Sequence, residues 1–115
     1  MESRRQKRVG NLIKEELSRL LIEDIQSSFS GLMTITGVRM SGDLKTAYID
    51  ISLFRKENKE EIMDYLEKRK GHLRKAIASR VKLKYNPLLI FYLDRSQELE
   101  ERIEKLLKKT KKDGK

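Results

Sequence analysis

From Ala47 to Leu53 the chain alternates without a slip: Ala47, Ile49, Ile51 and Leu53 are apolar, and Tyr48, Asp50 and Ser52 between them are polar. A side-chain period of two sends the two sets to opposite faces of a strand. Such a strand belongs in a sheet that is covered on one face and open on the other. The rest of the chain has to supply the cover.

This strand spans residues 44–54. A second one, Leu32–Met40, is rich in apolar and β-branched residues, with Met33 and Met40 as core fillers. Ser41-Gly42-Asp43 stands between them, and a Gly-Asp pair between strands is a hairpin signal. The two are therefore expected as antiparallel neighbours. Ahead of them, Val9, Leu12, Ile13, Leu17, Leu20 and Leu21 recur at helical spacing, and Ser3 with Gln6 fits a capping box. Polar residues 26–30 and Gly31 end that helix.

Beyond the hairpin, Asn58 with Glu61 fits a second capping box. Ile62, Tyr65 and Leu66, then Leu73, Ala76, Ile77 and Val81, make a helical apolar face, with Met63 as a filler. Gly71 interrupts it. A mid-helix Gly costs about 1 kcal/mol against Ala, which predicts a break or kink there. Asn86-Pro87 closes the helical stretch. Leu88–Leu93 reads as a short buried strand, and Asp94 with Gln97 can cap a last helix whose apolar face is Leu99, Ile103, Leu106 and Leu107.

The order is helix-strand-strand-helix-kinked helix-strand-helix. It predicts an α+β domain, a three-stranded sheet with helices on one face. The link from the second strand through the helices to the third is a crossover, and crossovers join parallel strands. Residues 1–107 are expected to form a single domain. The lysine-rich residues 108–115 carry nothing apolar and are expected to be a disordered tail.

The formal net charge of the 115 residues is +9. A basic balance of this size favours a polyanionic partner, either nucleic acid or an anionic membrane surface. There is no cysteine, hence no disulfide and no thiolate metal site. The longest apolar run, Leu88 to Leu93, falls far short of a membrane span. No apolar stretch follows the charged start, so no secretory signal is visible. A soluble, cytoplasmic protein is expected.

Several stretches in this order carry a resemblance. Arg8-Val9 lies on the first helix. Thr34-Ile35-Thr36-Gly37-Val38 leads to Ser41-Gly42-Asp43-Leu44, and Ala47-Tyr48-Ile49-Asp50-Ile51-Ser52 follows. Then come Leu73-Arg74, Pro87-Leu88, Phe91-Tyr92-Leu93-Asp94-Arg95-Ser96 and Arg102-Ile103. The order of elements resembles a type II KH domain, and the set at these spacings is similar to the bacterial ribosome-binding factor A family. The resemblance runs from about Arg4 to Leu107. It implies a KH-like RNA-binding domain and a non-enzymatic cytoplasmic factor of ribosome biogenesis. Its partners would be free small (30S) ribosomal subunits and their rRNA. Its role would be late maturation, including processing of the 5′ end of 16S rRNA, with most importance in the cold.

A typical KH domain clamps the nucleic-acid backbone with a GxxG loop. No two glycines here stand at that spacing. The family resembled has an Ala-x-Gly kink instead. The corresponding triplet here is Arg69-Lys70-Gly71, with Arg69 where Ala is usual.

The charge is concentrated. Lys68, Arg69, Lys70, Arg74, Lys75, Arg80, Lys82 and Lys84 fall between residues 68 and 84 with no acid among them, and His72 sits inside the run. A solvated helix face ordinarily mixes signs, so a run of one sign points to phosphate. A helix N-terminus just after Gly71 would add free backbone N–H groups. Arg4, Arg5, Lys7 and Arg8 form a second cluster, placed where positive charge opposes the helix dipole. The lysines of 105–115 form a third, which either adds nonspecific affinity or only solubilises. Tyr48, Tyr65, Tyr85 and Tyr92 could stack bases, but their spacing fits core or edge packing better.

A processing nuclease would need clustered carboxylates. Asp43 is explained by the turn, Asp94 by capping, and Asp50 by the polar strand face; no spacing unites them. The single His72 has no evident Ser and acid partner, and no second His or Cys for a metal. No catalytic residue, cofactor or metal is therefore expected, and the chain is expected to act as a monomer. A KH-type nucleic-acid module not tied to the ribosome would fit the charge equally well.

Overall fold

A computed structural model describes residues 2–28, 32–54, 59–94 and 106–107. Helix α1 is Arg4–Ser28, strand β1 Leu32–Met40, strand β2 Thr46–Phe54, helix α2 Lys59–Arg80 and strand β3 Leu88–Leu93. The sheet order is β1-β2-β3, with β1 antiparallel and β3 parallel to β2. This is the expected α+β architecture, with the hairpin and the parallel crossover both present. The expected last helix and the tail lie outside the described residues except for Leu106 and Leu107, which are helical. Asn58, of the second capping box, also lies outside them.

Helix α1 starts as its capping box predicts. The Gln6 backbone N–H donates to Ser3 Oγ at 3.2 Å, and the Ser3 N–H donates to Gln6 Oε1 at 2.7 Å. Gln6 Nε2 also donates to the Met40 carbonyl at 3.0 Å, while the Met40 N–H donates to Glu2 Oε1 at 2.9 Å. The first turn of α1 is thereby pinned to the last residue of β1. Val9, Ile13, Leu17 and Leu21, one residue per turn, are buried. Gly10 marks the closest approach: a Cβ there would lie 2.9 Å from the Val38 carbonyl oxygen.

The inner face of the sheet is Met33, Ile35 and Met40 from β1, Ala47, Ile49, Ile51 and Leu53 from β2, and Leu89 and Phe91 from β3, all buried in one core with the helices. Strand β1 reaches this face by a bulge. Ile35 pairs with Ile51 and Gly37 with Asp50, leaving Thr36 as the extra residue. The extra residue shifts the side-chain phase by one, so inward positions pass from 33 and 35 to 38 and 40. Thr36 Oγ1 donates to the Asp50 carbonyl at 3.2 Å and holds the bulge closed.

The turn differs from its sequence reading. Its left-handed residue is Leu44, at φ 63°, and β2 begins at Thr46 instead of Leu44. The Leu44 N–H donates to the Ser41 carbonyl at 3.0 Å, closing a turn followed by one left-handed residue. That conformation costs a non-glycine residue roughly 1–2 kcal/mol. Packing of the half-buried Leu44 side chain against the core offsets it.

Helix α2 is also simpler than expected. It runs unbroken from Lys59 to Arg80, so Gly71 does not divide it and no helix N-terminus follows Gly71. Ile62, Leu66, Leu73 and Ile77 are buried on both sides of the glycine, and this continuous apolar stripe outweighs the roughly 1 kcal/mol propensity cost. The helix ends earlier than Asn86-Pro87. Residues 81–87 form an irregular connection to β3, fixed by Arg74. Its Nε donates to the Pro87 carbonyl and its Nη2 to the Asn86 carbonyl, each at 2.9 Å.

Candidate nucleic-acid interface

The fold sorts the basic residues of 68–84 into three groups. At 100° per residue, Lys68, Gly71, His72 and Lys75 fall on the solvent stripe of α2, opposite the buried one, and all four are exposed. Lys70 and Arg74 fall on the flank towards β3. Lys70 pairs with Glu67 at 2.8 Å and lies 5.8 Å from the Phe91 ring centroid, while Arg74 clamps the 86–87 carbonyls. Arg69 and Arg80 fall on the flank towards α1. Arg69 lies 5.8 Å from the Tyr65 ring centroid, and Arg80 meets Glu16 of α1 at 3.3 Å. The run is therefore not one surface. Lys70, Arg74 and Arg80 have internal partners, while Lys68, His72 and Lys75 face water.

Lys82 and Lys84 leave the helix altogether. The 81–87 connection carries them to the N-terminal turns of α1, where they join part of the second basic cluster. Arg5, Arg8, Leu12, Leu44, Lys82, Lys84 and Tyr85 line a groove of about 120 Å³. Arg5, Lys84 and Tyr85 also line an adjoining groove of about 270 Å³ with Lys45 and Asp43 from the hairpin turn. On its other side Tyr85 borders a third, of about 530 Å³, between the end of α2 and Asn86. Arg4 and Lys7 are exposed but line none of these three.

Tyr85 is the hub of this region. Its ring has Lys45 Nζ at 5.1 Å and Lys84 Nζ at 5.4 Å from its centroid, yet the residue stays 38 % exposed. Asp43 holds the turn that brings Lys45 here: its Oδ1 accepts from Ser41 Oγ at 2.7 Å and from the Lys45 N–H at 3.0 Å. The Ser41 hydroxyl, then the Lys45 N–H, hold the Asp43 carboxyl below the usual aspartate range. Asp43 is thus an ionised turn residue, as the sequence suggested.

Sequence reasoning missed Lys45 and Tyr85. Lys45 is a single lysine in a turn, and Tyr85 was read as packing. Only the fold joins residues 5, 45 and 85. The other tyrosines divide. Tyr65 is half-buried against the core. Tyr48 and Tyr92 stand on the open face of the sheet with ring centroids 6.4 Å apart, and Arg39 lies 5.9 Å from the Tyr48 ring and 3.7 Å from Asp50.

Among the described residues, no group of three or more His, Asp or Glu side chains could hold a metal ion, and no helix is long and apolar enough to cross a membrane. What the surface can do chemically is hold anions and stack planar groups.

Comparison with known proteins agrees with this fold. The profile of the family described as ribosome-binding factor A matches residues 5–107. Ribosome-binding factor A of Halothermothrix orenii is 37% identical over 114 residues, covering 98% of this chain and 93% of that protein. The crystal structure of ribosome-binding factor A from Thermus thermophilus superposes with a TM-score of 0.68 at 25% identity, over 79% of this chain and 98% of that one. A homology model of the Thermus thermophilus factor, fitted into a cryo-electron-microscopy map of its 30S complex, superposes with a TM-score of 0.56 at 29% identity, over 73% of this chain and 93% of that one. With the profile spanning most of the chain and the relatives matching at nearly full length, this protein belongs to the ribosome-binding factor A family.

Proposed function

We propose that this protein binds free small (30S) ribosomal subunits through their rRNA and assists late maturation, including processing of the 5′ end of 16S rRNA. The observation that carries this reading is the meeting of two separate basic clusters, Arg5 with Arg8 and Lys82 with Lys84, around an exposed tyrosine. It is supported by the Thermus thermophilus relative seen in a 30S complex. The factor acts in the cytoplasm, as a monomer, through binding energy alone. It stabilises one rRNA conformation and so shifts the population of maturing particles. Residues 1–107 serve as one KH-like RNA-binding unit, and the exposed Arg4, Lys7, Lys68, His72 and Lys75 extend the phosphate-facing surface.

Co-sedimentation with isolated small subunits, large subunits and duplex DNA tests it. Retention on small subunits alone, stronger on immature ones, is expected. Equal retention on all three would favour a KH-type module not tied to the ribosome. Affinity should fall about a thousandfold between 50 and 200 mM salt if about six phosphates are neutralised. A flat salt response would remove the phosphate-driven mode.

A further inference from the structure

We propose that the groove between the first turns of α1 and the 81–87 connection is a pocket for one unpaired RNA nucleotide, with its base on Tyr85 and its phosphate between Arg5, Arg8 and Lys82. The inference rests on the reading that this protein binds rRNA, and names which chemical form of RNA this part of its surface takes.

Three observations converge. The first is the ring itself. Tyr85 is exposed although flanked by two ammonium groups, and Arg74 clamps its connection at the next two carbonyls, those of Asn86 and Pro87. A held aromatic face with cations beside it suits base stacking, and a duplex offers no free base face to it. The second is the charge balance. Among the described residues no acid lies within ion-pair distance of Arg5, Arg8, Lys82 or Lys84, whereas Lys70 and Arg80 do have acid partners. Cations left unpaired side by side in a groove repel one another until an anion enters. The third is polarity. Asp43 lines only the end of the site by the hairpin turn, and the end lined by Arg8 and Lys82 holds no acid. The phosphate therefore goes to that second end, which places the base against Tyr85 between the two. The turn that presents Lys45 is itself strained at Leu44, as functional turns often are. This pocket lies away from Gly71, where a KH backbone clamp would sit.

The chain contains no tryptophan, so Tyr85→Trp installs a single reporter. The probes are single-stranded hexaadenylate RNA, the same hexamer without bases, and a hexamer duplex. Stacking predicts quenching by the single strand, with little or none from the abasic strand or the duplex. It also predicts that Tyr85→Leu weakens single-strand binding about tenfold or more. Lys82→Glu, on an exposed loop position, should weaken the single strand and the abasic strand alike. Circular dichroism melts establish that each variant is folded. Equal quenching by all three probes, or a folded Tyr85→Leu variant with unchanged affinity, would overturn the pocket. Small-subunit co-sedimentation separates the two readings. If Tyr85→Leu still sediments with small subunits and Tyr85→Trp is not quenched, the pocket fails and the ribosomal reading stands. If quenching is seen but the wild type ignores small subunits, the pocket stands and the ribosomal reading fails.

Discussion

Arg80 at the end of α2 reaches Glu16 in the middle of α1, with Nη1 3.3 Å from Oε1. Glu16 is 8 % exposed and its other carboxylate oxygen is 3.7 Å from Arg19. One of the eight basic residues in the 68–84 run is thus a tie between two helices. Arg80 is half exposed, so the attraction alone is worth at most about 1 kcal/mol. The larger cost of removing it is a buried carboxylate left short of a donor. Arg80→Ala should lower stability by about 1–2 kcal/mol, and Glu16→Gln, which keeps an acceptor, by less. Chemical denaturation of both variants checks the order; equal losses would mean the pair acts through charge alone.

Two glycines in helices should respond to alanine with opposite signs. A methyl at position 71 meets nothing within 4 Å, so Gly71→Ala should gain about 0.5–1 kcal/mol of helix propensity. At position 10 the same methyl would sit 2.9 Å from the Val38 carbonyl oxygen, a backbone atom that cannot swing aside. There overpacking of about 1–3 kcal/mol exceeds the propensity gain, and Gly10→Ala should destabilise. Melting temperatures moving in the same direction would contradict this account of the α1–β1 contact.

Arg74→Met should cost about 1–2 kcal/mol by freeing the Asn86 and Pro87 carbonyls. It should also loosen the connection that carries Tyr85. Hydrogen exchange at residues 83–86 is expected to rise more than exchange along α1. Charge reversal at position 74 therefore tests the fold as much as binding, and Lys68→Glu with Lys75→Glu, both solvent-facing, test binding alone.

The Asp43 carboxyl, held ionised by the Ser41 hydroxyl and the Lys45 N–H, gives a pH signature. Because its folded pKa is lowered, its contribution is complete above roughly pH 4, near the unfolded aspartate value. It is lost as pH falls through the lowered value. Asp43→Asn should therefore be less stable than wild type at pH 6, with the gap closing towards pH 3. A gap that does not change with pH would mean the turn does not depend on the charge.

Much of this was legible in the residues. The period-two stretch 47–53 predicted a half-covered strand, and its inner face is the buried one. Ser3 and Gln6 predicted the cap, and both hydrogen bonds are made. What failed were local penalties that packing overrides. Gly71 disfavours helix, but Leu66 and Leu73 on either side of it are both fully buried and carry the helix through. Leu44 was read as the first residue of the strand, yet it takes the left-handed position of the turn, its side chain held by the core. The candidate site was legible only as charge. Which basic residues face water and which are tied depends on Glu16, Glu67 and the 86–87 carbonyls. Apart from the adjacent Lys84, the neighbours of Tyr85 come from residues 5 and 45, which no sequence spacing connects to it.

Strand β2 lies between two partners acquired in different ways. Its pairing with β1 follows directly from a tight turn, so it can zip from Ser41–Thr46 outward. Its pairing with β3, beginning at Thr46↔Leu88, must wait until the whole of α2 has been laid down across the sheet. Closing that long loop is entropically dearer than closing the turn. Mutations in the hairpin should thus change the folding rate, while mutations in β3 or its Arg74 clamp should chiefly speed unfolding. The connection bearing Tyr85 would then set only as β3 docks, together with the part of the core that Leu89 and Phe91 supply.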